Sequence, residues 1–424
     1  MTLIREKTSD VCSVFLAAFC ILAQVRFASA FDNLTSSECQ RRTGQPCLTV
    51  VYGPYTGVFV FDTGSDCSFA YGAARFQESP DPAWHFKETH GSFSVGAGSA
   101  IVIENIRIRA FNEEGERTRL VLLEKPQRSP GLSGIDGILG VPSMLAHCVG
   151  IQRQNQEVTK LASPWQPHDR ATKATLKRQA GRRFVVPVTF ALQAETLLAV
   201  DTGCRGPFLL RPEVLKFQQR LGNAVRANKV VVSTASEIRE VQTYILKSVT
   251  LCGFEFRDIP AAESNFNVIG MGCLSHFDMV LDFPYNNMWL TPHSNDWPKR
   301  VPPDASGLVL GFQDTNLLTL VRIQPDSAAS KSELQVDDQI LLFDGKEPKD
   351  LSMREIHQRQ TQAGTILPLR VRRGDQEFDV QLHLGYSFEY PPQWPNKKNV
   401  LDEFGEFLEK DAQTPASEHA VPNN

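Results

Sequence analysis

The strongest constraint on this chain is that it repeats itself. Gly57-Val58-Phe59-Val60-Phe61-Asp62-Thr63-Gly64-Ser65 is a run of strand-forming residues that breaks into a polar turn. Thr196-Leu197-Leu198-Ala199-Val200-Asp201-Thr202-Gly203-Cys204 has the same order 139 residues later. Each copy has a downstream echo: Gly137-Ile138-Leu139-Gly140, ending 78 residues after Asp62, and Asn267-Val268-Ile269-Gly270, ending 69 residues after Asp201. A short helix signal follows each echo, at Pro142 to Cys148 and at Cys273 to Phe277. Two similar halves are expected, over 31–151 and 183–300.

Composition sets the class. Of 424 residues, 42% are apolar and 22% charged, ordinary values for a globular protein, and Phe outnumbers Tyr by 26 to 7, which favours packed β-structure over long helices. A net charge of −4 leaves no basic excess to neutralise a phosphate backbone, so nucleic acid is not an expected partner. Arg5 and Lys7 precede an apolar run from Val11 to Val25, and Ala28-Ser29-Ala30 supplies small residues for cleavage after Ala30. Residues 1–30 are therefore expected to be an export signal, with the mature chain periplasmic or secreted and without a membrane segment. Nine cysteines, less Cys12 and Cys20 in the leader, leave seven, an odd number, of which Cys39 and Cys47 are close enough to close a small loop. No zinc spacing is present, and neither a metal nor a cofactor is expected. Asn33-Leu34-Thr35 is a glycosylation sequon if the source is eukaryotic.

Residues 152–182 are polar and cationic, with Pro164 and Pro167 interrupting any single helix. They read as an exposed connector with one or two helical turns near 170–179, or as a processing loop. From about 303 the pattern changes to short strands (307–313, 317–323, 338–343, 365–372, 377–384) around a helical stretch near 352–362. This is an α+β module over 303–387. The Pro-rich, polar remainder, 388–424, is expected to be disordered.

Two Asp-Thr-Gly loops at strand ends carry a specific resemblance. Residues 31–295 resemble a pepsin/retropepsin-like aspartic peptidase, as a single-chain version of a two-subunit enzyme. The resemblance implies a mainly β fold of two pseudo-symmetric lobes and a catalytic pair, Asp62 and Asp201. Two carboxylates about 3 Å apart cannot both ionise, so they share a proton. One takes a proton from water while the other donates to the scissile carbonyl, the two roles being interchangeable at this level. Gly64 and Gly203 let the backbone amides turn onto the carboxylates. The resemblance further implies that the Thr63 and Thr202 hydroxyls cross-link the loops. Ser65 is expected to hydrogen-bond the outer oxygen of Asp62; Cys204, a far weaker donor, takes the matching place beside Asp201. Arg205 is expected to be solvated. The candidate flap over the substrate is Thr89 to Ser99, with Gly91, Phe93, Gly96 and Gly98, although a plain surface hairpin fits equally.

In the C-terminal module, Ser306-Gly307-Leu308-Val309-Leu310-Gly311-Phe312, Pro325-Asp326-Ser327-Ala328-Ala329, Val336-Asp337-Asp338-Gln339-Ile340 and Asp344-Gly345-Lys346 resemble a PDZ domain of the bacterial-protease kind, with Asp337 where Gly is usual. The resemblance implies that a peptide C-terminus is added as a strand. Gly307, Leu308 and Val309 would then form the receiving loop and strand, and Met353 and Ile356 the helical wall. The expected function is an exported aspartic endopeptidase that acts on polypeptides, with this module for docking or regulation. The alternative is a non-catalytic peptide-binding protein.

Overall fold

The computed structural model describes residues 35–72, 84–93, 96–111, 117–123, 135–152, 157–179, 183–190, 195–233, 238–313 and 317–394. The leader and the Asn33 sequon position lie outside them. Over the described residues the protein is mainly β, in four sheets.

Helix α1 (Ser36–Thr43) is followed by β1 (Cys47–Tyr52), β2 (Tyr55–Asp62), β3 (Ser68–Tyr71), β4 (His85–Phe93), β5 (Gly96–Ala110), β6 (Arg117–Leu123) and β7 (Gly137–Gly140). These seven strands form one sheet in the order β1-β2-β7-β3-β6-β5-β4, and β1 also pairs with β5, which closes six of them into a ring. Next come β8 (Cys148–Gln152), β9 (Glu157–Leu161), β10 (Thr172–Thr175), β11 (Lys177–Arg178), β12 (Phe184–Thr189), β13 (Glu195–Asp201) and β14 (Phe208–Leu210). Helix α2 (Pro212–Arg220) leads into β15 (Ala224–Ser233), β16 (Ile238–Leu251), β17 (Phe254–Glu263) and β18 (Val268–Gly270). Helix α3 (Met271–Leu274) precedes β19 (Phe277–Asp282), β20 (Asn287–Pro292) and β21 (Lys299–Arg300). The second sheet runs β11-β12-β13-β18-β14-β17-β16-β15, with β12 pairing to β16 and β21 to β17.

The segment 152–182, read as an exposed and partly helical connector, is not one. It supplies β9 and β10 to a third sheet, β10-β20-β19-β8-β9, whose other strands come from either side of it in sequence. Only alternate residues turn inward: Val158, Ala174 and Leu176 are buried while their neighbours face solvent. A sheet solvated on one face needs few apolar residues, so its composition looks like that of a loop. The helix signal after Gly140 is also shorter than expected, a 3-10 turn at Val141–Ser143 before β8 begins.

The last sheet, β22 (Leu308–Phe312), β23 (Leu318–Ile323), β24 (Gln339–Phe343), β25 (Ile366–Arg373) and β26 (Gln376–His383), follows chain order and carries α4 (Met353–Gln360). Ser352 starts that helix with a capping box, its hydroxyl accepting from the Glu355 amide while the Glu355 carboxylate accepts from the Ser352 amide. One apolar core runs through the first three sheets, and a separate one, from Ala305 to Leu384, fills the C-terminal unit.

Polar contacts tie that unit to the rest. Arg41 of α1 donates to the carbonyls of Pro348 and Leu351, and its guanidinium lies 4.9 Å from the centre of the Phe312 ring. The Gln324 amide meets the backbone of Val231 on β15 twice, accepting at 2.8 Å and donating at 3.1 Å. Residues 388–394, expected to be disordered, are ordered instead. Tyr390 donates to the Asp258 carbonyl at 2.9 Å and Trp394 to its carboxylate at 3.1 Å, so two amphipathic rings anchor a Pro-rich strap. Residues 395–424 lie outside the described ones.

Candidate active site

Asp62 and Asp201 are each the last residue of a buried strand. Beside them run parallel partners: β2 pairs with β7 so that Asp62 is level with Gly140, and β13 pairs with β18 so that Asp201 is level with Gly270. The glycines of the echoes are needed because the loop after each Asp folds back over them. A Cβ on Gly140 would strike the Cys67 carbonyl, and one on Gly270 the Gly206 carbonyl. The loops are then bonded to the strand just crossed, Val141 N–H to Ser65 O at 3.0 Å and Met271 N–H to Cys204 O at 2.7 Å.

The two Asp loops meet through their threonines, whose residues are 1% and 0% exposed. The Thr63 hydroxyl donates to Val200 O at 2.6 Å and accepts from the Thr202 amide at 3.1 Å. Reciprocally, the Thr202 hydroxyl donates to Phe61 O and accepts from the Thr63 amide at 3.1 Å. Each hydroxyl thus satisfies two backbone groups of the opposite loop.

This cross-link sets each carboxyl against the glycine of the opposite loop, Asp201 over Gly64 and Asp62 over Gly203, close enough for each to act on the titration of the other. Each is also held by amides of its own loop: Gly64 N–H donates to Asp62 at 2.8 Å and Cys204 N–H to Asp201 at 2.8 Å. Burial pushes the Asp62 carboxyl well above the usual carboxylate range, and the neighbouring Asp201 charge pushes the same way, against the amides of Gly64 and Ser65. Burial raises Asp201 too, against the hydrogen bond from Asp62, the amides of Cys204 and Gly203, and the positive charge of Arg183. The pair holds a proton where isolated carboxyls would not, and titrates as a unit.

Two expectations need correction. The single proton of the Ser65 hydroxyl goes to the Cys67 carbonyl at 2.7 Å, so it is the Ser65 backbone amide that acts on Asp62. Leu308 and Ile356, expected to line a peptide groove, are buried in the C-terminal core instead. Val309 is half-buried and Met353 is packed against the core, facing the end of α1 at Gly44. Gly307 has a φ of 73°, and its amide is already accepted by the Asp304 carboxylate at 3.3 Å; the Leu308 amide is accepted by the Ser306 hydroxyl at 3.0 Å.

Arg205, expected to be solvated, keeps part of its surface accessible, yet burial of the charged end pulls its guanidinium below its usual range, against the charges of Cys47 and Cys39. The Cys204 thiol is pushed up by burial and by the charge of Asp201. The candidate flap is a hairpin of β4 and β5, with Gly91 opposite Gly98 and Phe93 opposite Gly96; its tip, residues 94–95, lies outside the described ones. Three residues near the carboxyls escaped the sequence reading. Arg183 acts on Asp201, Gln45 donates to the Gly203 carbonyl, and the Tyr71 hydroxyl, buried without a hydrogen-bond partner, is raised by burial and the Asp62 charge. No local motif marks any of them. Among the described residues, no cluster of three or more His, Cys, Asp or Glu is arranged to hold a metal.

The close approach leaves no room for a side chain on the loop glycines. A Cβ on Gly203 would lie 2.5 Å from Asp62 Cγ, and one on Gly64 closer still to Asp201 Cγ. Gly64→Ala and Gly203→Ala are each expected to lower stability by about 1–3 kcal/mol, the usual cost of overpacking, read from urea unfolding.

No family model matches the chain, and no curated protein matches it in sequence.

Proposed function

We propose that this protein is an aspartic-type endopeptidase, built from two pseudo-symmetric lobes, with Asp62 and Asp201 as the catalytic pair. The observation that carries this reading is the reciprocal threonine cross-link, which brings two partly enclosed carboxyls together and raises both. In the proposed reaction the ionised carboxylate takes a proton from a water, whose oxygen attacks the peptide carbonyl carbon. The protonated carboxyl gives its proton to the carbonyl oxygen. The tetrahedral adduct then collapses as the nitrogen is protonated, and the C–N bond breaks without a covalent enzyme intermediate.

The substrates are polypeptides, reached under the β4–β5 hairpin, and the leader over 1–30 would place the reaction outside the cytoplasm. The C-terminal unit is proposed as a PDZ-like docking or regulatory module. Its strand order and α4 support that resemblance, while the engagement of the Gly307 and Leu308 amides by Asp304 and Ser306 argues for a ligand other than a bare C-terminal carboxylate.

The test is cleavage of a denatured, carboxymethylated protein between about pH 3 and pH 8, with new termini identified by mass spectrometry. Cleavage by the wild type, blocked by a statine-type transition-state analogue and absent in Asp62→Asn, is the expected result. Binding of the unfolded polypeptide without cleavage at any pH would make the protein a peptide receptor instead.

A further inference from the structure

Cys39 lies in the middle of α1 and Cys47 opens β1, yet their sulfurs are 2.8 Å apart and both residues are almost fully buried, at 0% and 2% exposure. That separation is closer than two unbonded sulfurs settle and only somewhat longer than a covalent bond of about 2.05 Å. The approach is built into the local chain. Thr35 caps the start of α1, accepting from the Glu38 amide at 3.2 Å. Gly44, at a φ of 68°, stops the helix and donates to Gln40 O at 2.7 Å, so the chain turns back at once and brings Cys47 under Cys39. A helix of eight residues does not hold itself in water, and this one needs an anchor.

The short loop between the cysteines touches both Asp loops. Pro46 O accepts from the amide of Phe61, the residue before Asp62, at 2.8 Å, and the Gln45 side chain donates to the carbonyl of Gly203, two residues after Asp201. Gln45 is itself buried.

We propose that Cys39 and Cys47 form a disulfide, and that the ring it closes is a clamp setting the two Asp loops against each other. The disulfide stands on its own geometry; the consequence for catalysis rests on the peptidase reading. Closure needs a disulfide donor, either a small molecule such as oxidised glutathione or a disulfide-donating enzyme. One cysteine thiolate attacks a donor sulfur and releases a thiolate, and the second cysteine then displaces the other half. The pair loses two protons and two electrons, and the donor disulfide becomes two thiols. Burial, with the neighbouring Cys39, pushes the folded Cys47 thiol well up, so exchange belongs to the stage before α1 docks. After docking the bond is shielded from reductants.

The test begins with the full chain refolded in a glutathione redox buffer, alkylated in denaturant without reduction, and digested. The peptides of Cys39 and Cys47 are expected as one linked species, which separates on treatment with dithiothreitol. Free, alkylated Cys39 and Cys47, or a link from either to another cysteine, would overturn the disulfide. Gln45→Leu, which keeps the ring but removes the contact with Gly203, tests the clamp. It is expected to lower kcat about 10-fold with KM nearly unchanged, and to speed hydrogen exchange at the Thr63 and Thr202 amides about 10-fold without affecting the C-terminal unit. Unchanged exchange at those two amides would overturn the clamp whether or not the protein cleaves polypeptides. Absence of cleavage by the wild type would count against the peptidase reading alone.

Discussion

Asp62→Asn is expected to abolish polypeptide cleavage and, at neutral pH, to raise the thermal stability of the protein. Loss of a group that transfers a proton in the transition state costs on the order of 10²–10⁴ in rate, and the shared-proton pair has no substitute for its missing member. The stability gain follows from the direction in which the carboxyl is displaced. Burial and the charge of Asp201 raise Asp62 well above its unfolded value near 3.9, so between the two values the folded chain holds a proton the unfolded chain has released. The pair's contribution to stability is therefore present below the unfolded value and is lost as pH rises through the folded one. Asn removes that loss because it carries no charge to bury. The difference in Tm between Asp62→Asn and wild type should be near zero at about pH 3 and positive above the raised value, read by calorimetry across pH. A variant equally destabilised at all pH values would mean that the carboxyl is a structural ligand. For the wild type, the basic limb of the pH–rate profile should lie well above the ordinary carboxylate range, since it reports loss of the shared proton.

Thr63→Val is expected to be the most destabilising conservative substitution in the site. Valine keeps the shape of threonine but can neither donate to Val200 O nor accept from the Thr202 amide, and both groups are left buried between the loops. An unsatisfied buried donor or acceptor costs about 1–3 kcal/mol, so the pair should cost about 2–6 kcal/mol in urea unfolding. Thr63→Ser keeps the hydroxyl and should recover most of that. Thr202→Val orphans Phe61 O and the Thr63 amide by the same logic. Because the two threonines bridge the same interface, the double variant should lose less than the sum of the single ones. Activity should fall with stability, through kcat, since the carboxyls lose their mutual alignment.

Much of this arrangement is legible in the sequence because it depends on local backbone requirements. Asp-Thr-Gly after an apolar run marks a strand that ends in a tight turn. The glycines at 140 and 270 are specified by carbonyls that pass where a Cβ would be. The C-terminal strands are also readable, since their short apolar runs and the Asp344-Gly345 turn are local signals. The role of Ser65 is not legible in the sequence, because a hydroxyl has one proton and only the folded loop decides that the Cys67 carbonyl receives it. Likewise, the composition of 152–182 reflects one solvated face of a sheet, and a chain read residue by residue carries no record of which strands will flank it.

The sequence by itself determined where two acids end two strands, which glycines stand beside them and where the C-terminal unit begins, because each is fixed by a few neighbouring residues and their allowed dihedrals. Only the tertiary structure decided that Val200 and Phe61 receive the threonine protons, that Arg183 acts on Asp201 and Gln45 on the Gly203 carbonyl, and that Cys39 meets Cys47 in a dry contact. Those relations join residues far apart along the chain or turned by a helix cap. They depend on distance and burial, which packing sets and no linear pattern encodes.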